Sequence, residues 1–363
     1  MQTTAPRCPM MSWLPIARDF GGDLRAALDN AKSTDCLENL ASLTAYRLGL
    51  VETVQLDRAF SRLGLKEAPG FLPVRLALLA SATVDHLSPA IRIAGLRRRL
   101  LIDVHSGAYG QYRQDLLDHN SCLHQFMPQT ILFSLSTREA IAGVPLTATV
   151  SEVDQILVKF IGELRSFWRK AREISNAAIV QQTFVDVTEP LFGSYDRFVP
   201  GTPARVVARL NDRVCEAAAQ DGVLLLDVAH ASERDGIDAW FDVGRWLHGK
   251  LEIAPQAAPV YGDMVARTLA AERGLSKKCL VLDLDNTLWG GVIGDDGLDG
   301  IVLGEGSAAG EAHLALQRYA KQLKERGVIL AVCSKNDAGI AEAVFHEHPE
   351  MVLLRSEDRK SVV

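Results

Sequence analysis

The stretch KKCLVLDLDNTLWGG, from Lys277 to Gly291, carries an apolar segment that runs into two aspartates spaced two apart. Cys279 to Leu284 reads as a short strand of the kind buried on both faces of a parallel sheet. Asp283 and Asp285 then fall at its carboxyl end, where open α/β sheets present their ligand-binding crevice. Residues two apart on a strand share a face, so both carboxylates point at one reacting centre if the extended geometry persists to Asp285. Thr287 and the pair Gly290, Gly291 follow, and glycines suit a turn whose backbone N–H groups are free to meet phosphate oxygens. Asp and Asn also end strands and open turns with no chemistry attached.

A second stretch, VILAVCSKND from Val328 to Asp337, favours chemistry, because it is another apolar strand and it ends in a small hydroxyl residue, Ser334. A phosphorylated substrate brings negative charge toward a carboxylate. Attack by Asp283 therefore needs a hard cation that bridges nucleophile and phosphoryl oxygen. Asp285 is placed to protonate the leaving oxygen, given a pKa moved toward the working pH.

Together these stretches, with GDDG at 294 to 297, resemble the haloacid dehalogenase (HAD) superfamily of phosphotransferases, whose signature is Asp-x-Asp-x-Thr, and within it the FkbH-like branch, subfamily IIIC. The resemblance implies that Asp283 is the nucleophile, Asp285 the acid/base, and Thr287 and Ser334 the binders of the phosphoryl group. It implies Mg²⁺, held by the Asp283 carboxylate, the Asp285 backbone carbonyl and a further acidic residue downstream. It also implies a Rossmann-like catalytic domain, a phosphorylated small-molecule substrate and an acyl carrier protein as partner. In that family role a phosphorylated three-carbon acid loses phosphate, and its glyceryl unit is loaded onto the carrier for polyketide extender synthesis. Two other readings stay open: a plain phosphomonoesterase, and a catalytically impaired module that binds a carrier protein or partner subunit.

At 363 residues the chain exceeds one ordinary domain, and two domains behind a helical preface are the natural division. A 48% hydrophobic content is ample for buried cores. The net charge of -6 and a pI near 5.9 argue against a nucleic-acid footprint, since the only basic run, Arg97, Arg98 and Arg99, reads as the solvated face of a helix. The 6 cysteines, Cys8, Cys36, Cys122, Cys215, Cys279 and Cys333, form no Cys-x-x-Cys pair, and no His-rich partner for zinc accompanies them. His105, His119, His124, His230, His346 and His348 likewise show no ligand spacing and read as surface or capping residues. A reduced cytoplasm fits, and neither secretion nor membrane spanning is expected, because the amino terminus is polar and no long apolar run occurs.

Along the chain, residues 1–70 read as a helical segment, 71–265 as a parallel α/β domain and 275–363 as a partial catalytic domain. Pro73 precedes a strand, within 74–87, that turns at Ser81 into a helix. Strand-like runs follow at Thr130 to Leu135, Ala178 to Phe184 and Val223 to Asp227, separated by helical patterns at Val153 to Ile174 and Pro203 to Ala219. An Ala-rich helix near Ala254 to Ser276 leads into the strand before Asp283. This middle region resembles the SGNH-hydrolase-like domain that precedes the HAD domain in FkbH-like proteins, with Ser81 where that fold keeps its nucleophile. Active members also need an Asp-x-x-His pair, whereas here Asp242 is followed three residues on by Arg245, and His248 lies six away. A structural or recognition role is therefore expected of this domain, with Ser81 opening a helix.

Cys333, beside Ser334, can accept an acyl group if nearby cations such as Lys335 lower its pKa, but cysteine is among the most buried residue types and the core reading is preferred. Trp289 either walls the site or packs beneath it. A third strand is expected near 352. The downstream lysine and acidic loop that the resemblance implies do not map onto Glu357, Asp358 or Lys360. The chain is accordingly expected to be a carboxyl-terminally truncated or degenerate member of the group.

Overall fold

The computed structural model describes residues 10–29 and 33–353, and the chain divides into two compact units, Met1–Arg273 and Gly274–Val363. Cys8, Glu357, Asp358 and Lys360 lie outside the described residues. In the first unit β1 (Leu72–Ala80), β2 (Leu100–Ser106), β3 (Thr130–Ser134), β4 (Ala178–Gln182) and β5 (Leu224–Leu226) form a parallel sheet in the order β2-β1-β3-β4-β5. Central β1 divides its apolar side chains between two cores by the period of two. Leu76, Leu78 and Ala80 pack with Ile91 of the helix Leu87–Arg97 and with Tyr261 and Val265 of the helix Ala258–Glu272. Ala77 and Leu79 pack on the other face with Leu164 and Trp168 of the helix Val150–Ser175 and with Leu210 of the helix Pro203–Asp221. Helices on both faces are what a parallel sheet needs to stay dry.

The Ala-rich composition of Ala258–Glu272 has a packing cause. A Cβ on Gly262 would lie 2.4 Å from the Ala90 carbonyl oxygen, so this helix meets Leu87–Arg97 nearly backbone to backbone. Beside that contact Asp263 is buried and paired with Arg97, Arg98 and Arg267 at 2.8, 2.9 and 2.8 Å. Arg97 and Arg98 are therefore not a solvated face; only Arg99 is open, with half its side chain exposed. The helix stops at Arg97, Arg99 takes a left-handed φ of 59°, and β2 begins at once, a strand that the basic run conceals in the sequence. Ahead of the sheet, the helices Phe20–Asp29, Ser33–Leu43 and Leu50–Arg62 share a core with Ile93, Leu96 and Leu101.

In the second unit β6 (Cys279–Leu282) and β7 (Ile329–Val332) pair in parallel, Leu282 opposite Val332. The helices Ala308–Glu325 and Ala338–Glu347 contribute Ala320, Ala341 and Val344 to its core. Residues 351–353 are not strand: Met351 and Leu353 are buried in that core, while the Val352 N–H donates to Gln317 Oε1 at 2.9 Å. The strand expected near 352 is therefore absent among the described residues. None of the described helices is long and apolar enough to cross a membrane.

Candidate active site

Asp283 follows β6 directly and is exposed, whereas the chain bends at Leu284 before reaching half-buried Asp285. Asp283 Oδ1 accepts the Leu284 N–H at 2.8 Å, and its other oxygen has no hydrogen-bond partner among the described residues. Asp285 is held quite differently. Its Oδ1 accepts from Trp289 Nε1 and from the Ile293 N–H, both at 3.1 Å, and its Oδ2 accepts from Asn336 Nδ2 at 2.8 Å. One carboxylate is open and the other is clamped.

Trp289 is fully buried and meets Phe345 edge-on at 6.1 Å, so it packs beneath the loop and holds Asp285 from below. The loop itself is tied to the helix Ala308–Glu325: His313 Nδ1 lies 2.8 Å from the Thr287 carbonyl oxygen, and Gln317 Nε2 donates to that of Leu288 at 2.8 Å. The glycine pair does not offer free amides. Gly290 N–H donates to the Val302 carbonyl and Gly291 N–H to Asn286 Oδ1, while the left-handed φ of 89° at Gly291 explains the residue type. Their hydrogen bonds close the turn, which removes the expected phosphate cradle. Thr287 is half-buried nearby. Of the GDDG run, Asp296 accepts the Val292 N–H at 2.8 Å, a local turn bond.

Across from this loop the Cys333 N–H donates to the Leu282 carbonyl at 2.9 Å, continuing the β6–β7 register so that Cys333 stands beside Asp283. Cys333 is exposed, which corrects the core reading preferred for its thiol, and Lys335 is exposed too. Ser334 Oγ accepts the Asn336 N–H at 3.2 Å. The structure thus joins Asp285 to Ser334 through Asn336, a residue with no signal in the spacing of the aspartates. For Mg²⁺ the donor types fit, since the Asp283 carboxylate and the Asp285 carbonyl are hard oxygens and Mg²⁺ keeps waters and takes substrate phosphate for the rest. No group of three His, Cys, Asp or Glu side chains poised for a metal occurs among the described residues.

In the first unit Ser81 follows directly on β1 but caps no helix, because the next helix starts at Leu87. Its Oγ accepts the Ser136 N–H at 2.7 Å. Asp242 caps the helix Val243–Gly249 through the Arg245 N–H at 2.9 Å, and His248 is exposed. His105 is half-buried and stacks on Phe126 at 5.3 Å, so it is neither a surface nor a capping residue.

Residues 75–269 match the family described as FkbH, N-terminal domain. Among solved structures, the N-terminal part of the protein BF1531 from Bacteroides fragilis, containing a phosphatase domain and complexed with Mg, is 27% identical; the match has a TM-score of 0.71 and covers 90% of this chain and 80% of that one. A protein from Slackia heliotrinireducens described as a candidate SGNH hydrolase is 16% identical, with a TM-score of 0.34 over 54% of this chain and 98% of that one. Phospholipase A1 from Streptomyces albidoflavus NA297 is 14% identical, with a TM-score of 0.35 over 55% and 98%. No curated protein matches the chain.

Proposed function

Because the chain belongs to the FkbH family, we propose that it takes a three-carbon acid phosphorylated both as an ester and as an acyl phosphate. Asp283 takes the ester phosphoryl group and water releases it as phosphate, while a thiol attacks the acyl carbonyl and phosphate leaves, so that the glyceryl unit passes to the thiol of an acyl carrier protein. The observation that carries this reading is the contrast between the carboxylates: Asp283 is open at a strand end, and Asp285 is immobilised beside it. A free carboxylate is what in-line attack on a phosphoryl group needs. Asp285, held at both oxygens, is placed to exchange a proton with the leaving oxygen and with the attacking water. Ser334 Oγ, held by the Asn336 N–H, is the hydroxyl for the transferred group, and exposed Cys333 beside Asp283 is the chain's own candidate acyl acceptor.

The BF1531 structure with Mg supports the same metal here, held by the Asp283 carboxylate and the Asp285 carbonyl. Bound there, Mg²⁺ would offset the negative charge that the phosphoryl group brings to Asp283. The test is phosphate release from phosphorylated glyceric acids with Mg²⁺, with and without a carrier protein. Asp283→Asn keeps the size and loses the charge, so turnover should fall by a factor of about 10³ or more. Equal rates in both proteins would remove Asp283 as nucleophile. Phosphate release indifferent to the carrier thiol would leave a phosphomonoesterase.

A further inference from the structure

Asn336 is the residue through which the two strand-end loops meet. Its side chain donates to Asp285 Oδ2 at 2.8 Å, and its backbone N–H donates to Ser334 Oγ at 3.2 Å. The other two donors to Asp285, Trp289 Nε1 and the Ile293 N–H, come from the loop that carries Asp285 itself, four and eight residues on. Among the described residues Asn336 alone reaches over from the loop after β7, 51 residues away. An amide suits this place. It donates to a carboxylate without adding a positive charge that would pull Asp285 out of its pocket, and it adds no negative charge where an anionic substrate must enter.

We infer that Asn336 is a positioning residue that fixes Asp285 and Ser334 in one mutual arrangement, acting through both. The inference rests on the phosphoryl-transfer reading and goes beyond it, because neither the spacing of the aspartates nor the pairing of β6 and β7 requires a side-chain link between the loops. The last backbone bond between the two strands runs from the Cys333 N–H to the Leu282 carbonyl, before Asp285 or Ser334 is reached. Past that point the loops need another tie. Trp289 holds Asp285 only relative to its own loop, so removing Asn336 frees one loop against the other and leaves each internally intact. A misplacement of about 1 Å between groups that act on one phosphoryl centre costs about 100-fold in rate. The loss should fall on kcat, since the open Asp283 and the metal it would hold are not held by Asn336.

The test uses the full chain labelled with ¹⁵N. The Trp289 indole N–H donates to the same carboxylate as Asn336 and is the reporter, assigned by its disappearance in Trp289→Phe. The other indole resonances, from Trp13, Trp168, Trp240 and Trp246, monitor the fold in every variant. In Asn336→Ala and in Asn336→Asp, which keeps the shape but not the donor, the Trp289 resonance should move while the other four stay. With p-nitrophenyl phosphate and Mg²⁺, both variants should lose about 100-fold in kcat with KM within about twofold. An unmoved Trp289 resonance in Asn336→Ala overturns the link whatever the activity. A moved resonance with unchanged kcat overturns the positioning role. Should Asp283→Asn retain full turnover, the phosphoryl-transfer reading falls, and the resonance still decides whether Asn336 ties the loops. Where no substrate is turned over, the resonance alone decides.

Discussion

Glu252, 4% exposed, accepts the Ser136 hydroxyl on Oε2 and the Thr137 N–H on Oε1, the latter at 3.1 Å. Ser136 in turn donates its N–H to Ser81 Oγ at 2.7 Å, so the ends of β1 and β3 are tied to the segment before the helix Ala258–Glu272. Burial is the main cause that pushes the Glu252 carboxyl up to about 7 from an ordinary 4.5, and the two donors oppose it.

Stability should therefore depend on pH through this one buried acid. The folded state holds its proton more tightly than the unfolded chain, so the contribution is complete below about 4.5 and is lost as pH rises to about 7. The loss amounts to about 3 kcal/mol over that window. Urea unfolding of the first unit between pH 4.5 and 7.5 should show a falling midpoint, and Glu252→Gln, which stays neutral, should flatten that slope. A variant with the same slope as the parent chain would mean that other groups carry it.

Asp263 anchors three arginines, and two of them are largely withdrawn from water: the side chains of Arg97 and Arg98 are 14% and 25% exposed. Burial pulls the Arg97 guanidinium down from its ordinary value, and Asp263 offsets that pull. Asp263→Ala leaves those charges without their partner and should cost about 3–5 kcal/mol. Replacing Arg267, which is half exposed, should cost under about 1 kcal/mol. Equal losses from both substitutions, measured by denaturant midpoint, would show that the network is not organised around Asp263.

The parallel sheet was legible because its strands are apolar runs ending in Asp, Ser or Thr, and long amphipathic helices separate most of them. β2 was not, since Arg97 to Arg99 masks the place where the helix ends and the strand starts; a carboxylate on a distant helix, Asp263, decides where those arginines point. The same limit applies at the candidate site. The two aspartates and Ser334 stand out at strand ends, but Asn336, the Trp289 bond to Asp285 and the internal use of the Gly290 and Gly291 amides depend on loops folding back on themselves. Cys333 read as a core residue and is exposed, because a strand pattern reports burial only when a covering layer is known. Here β6 and β7 each leave apolar side chains exposed, Val281 and Ile329 among them.

Ser81 should not behave as an activated nucleophile. Its Oγ accepts an N–H, Asp242 is spent on a helix cap, and the only acid in this network, Glu252, is bonded to Ser136 and Thr137 instead. A hydroxyl with no base to take its proton reacts slowly with electrophiles. A fluorophosphonate probe should label the chain no faster than it labels surface serines, and Ser81→Ala should leave the labelling unchanged. Stoichiometric labelling that disappears in Ser81→Ala would instead make the first unit a hydrolase site.

Mg²⁺ binding should be weak without an anion and stronger with one. Asp283 offers one carboxylate oxygen without a hydrogen-bond partner among the described residues and Asp285 a backbone carbonyl, while the Asp285 carboxylate is occupied by its three donors. An octahedral cation that dehydrates reluctantly gains little from two protein oxygens and much more when a phosphoryl oxygen completes its shell. Isothermal titration should therefore give millimolar affinity for Mg²⁺ alone, strengthened about tenfold or more by orthovanadate as phosphoryl mimic. In Asp283→Asn the vanadate effect should vanish, because the charged ligand is gone. Removing the metal with a chelator should abolish any phosphate release and leave the denaturant midpoint of the first unit unchanged. Tight binding of Mg²⁺ alone that survives Asp283→Asn would place the cation elsewhere and separate it from this pair of carboxylates.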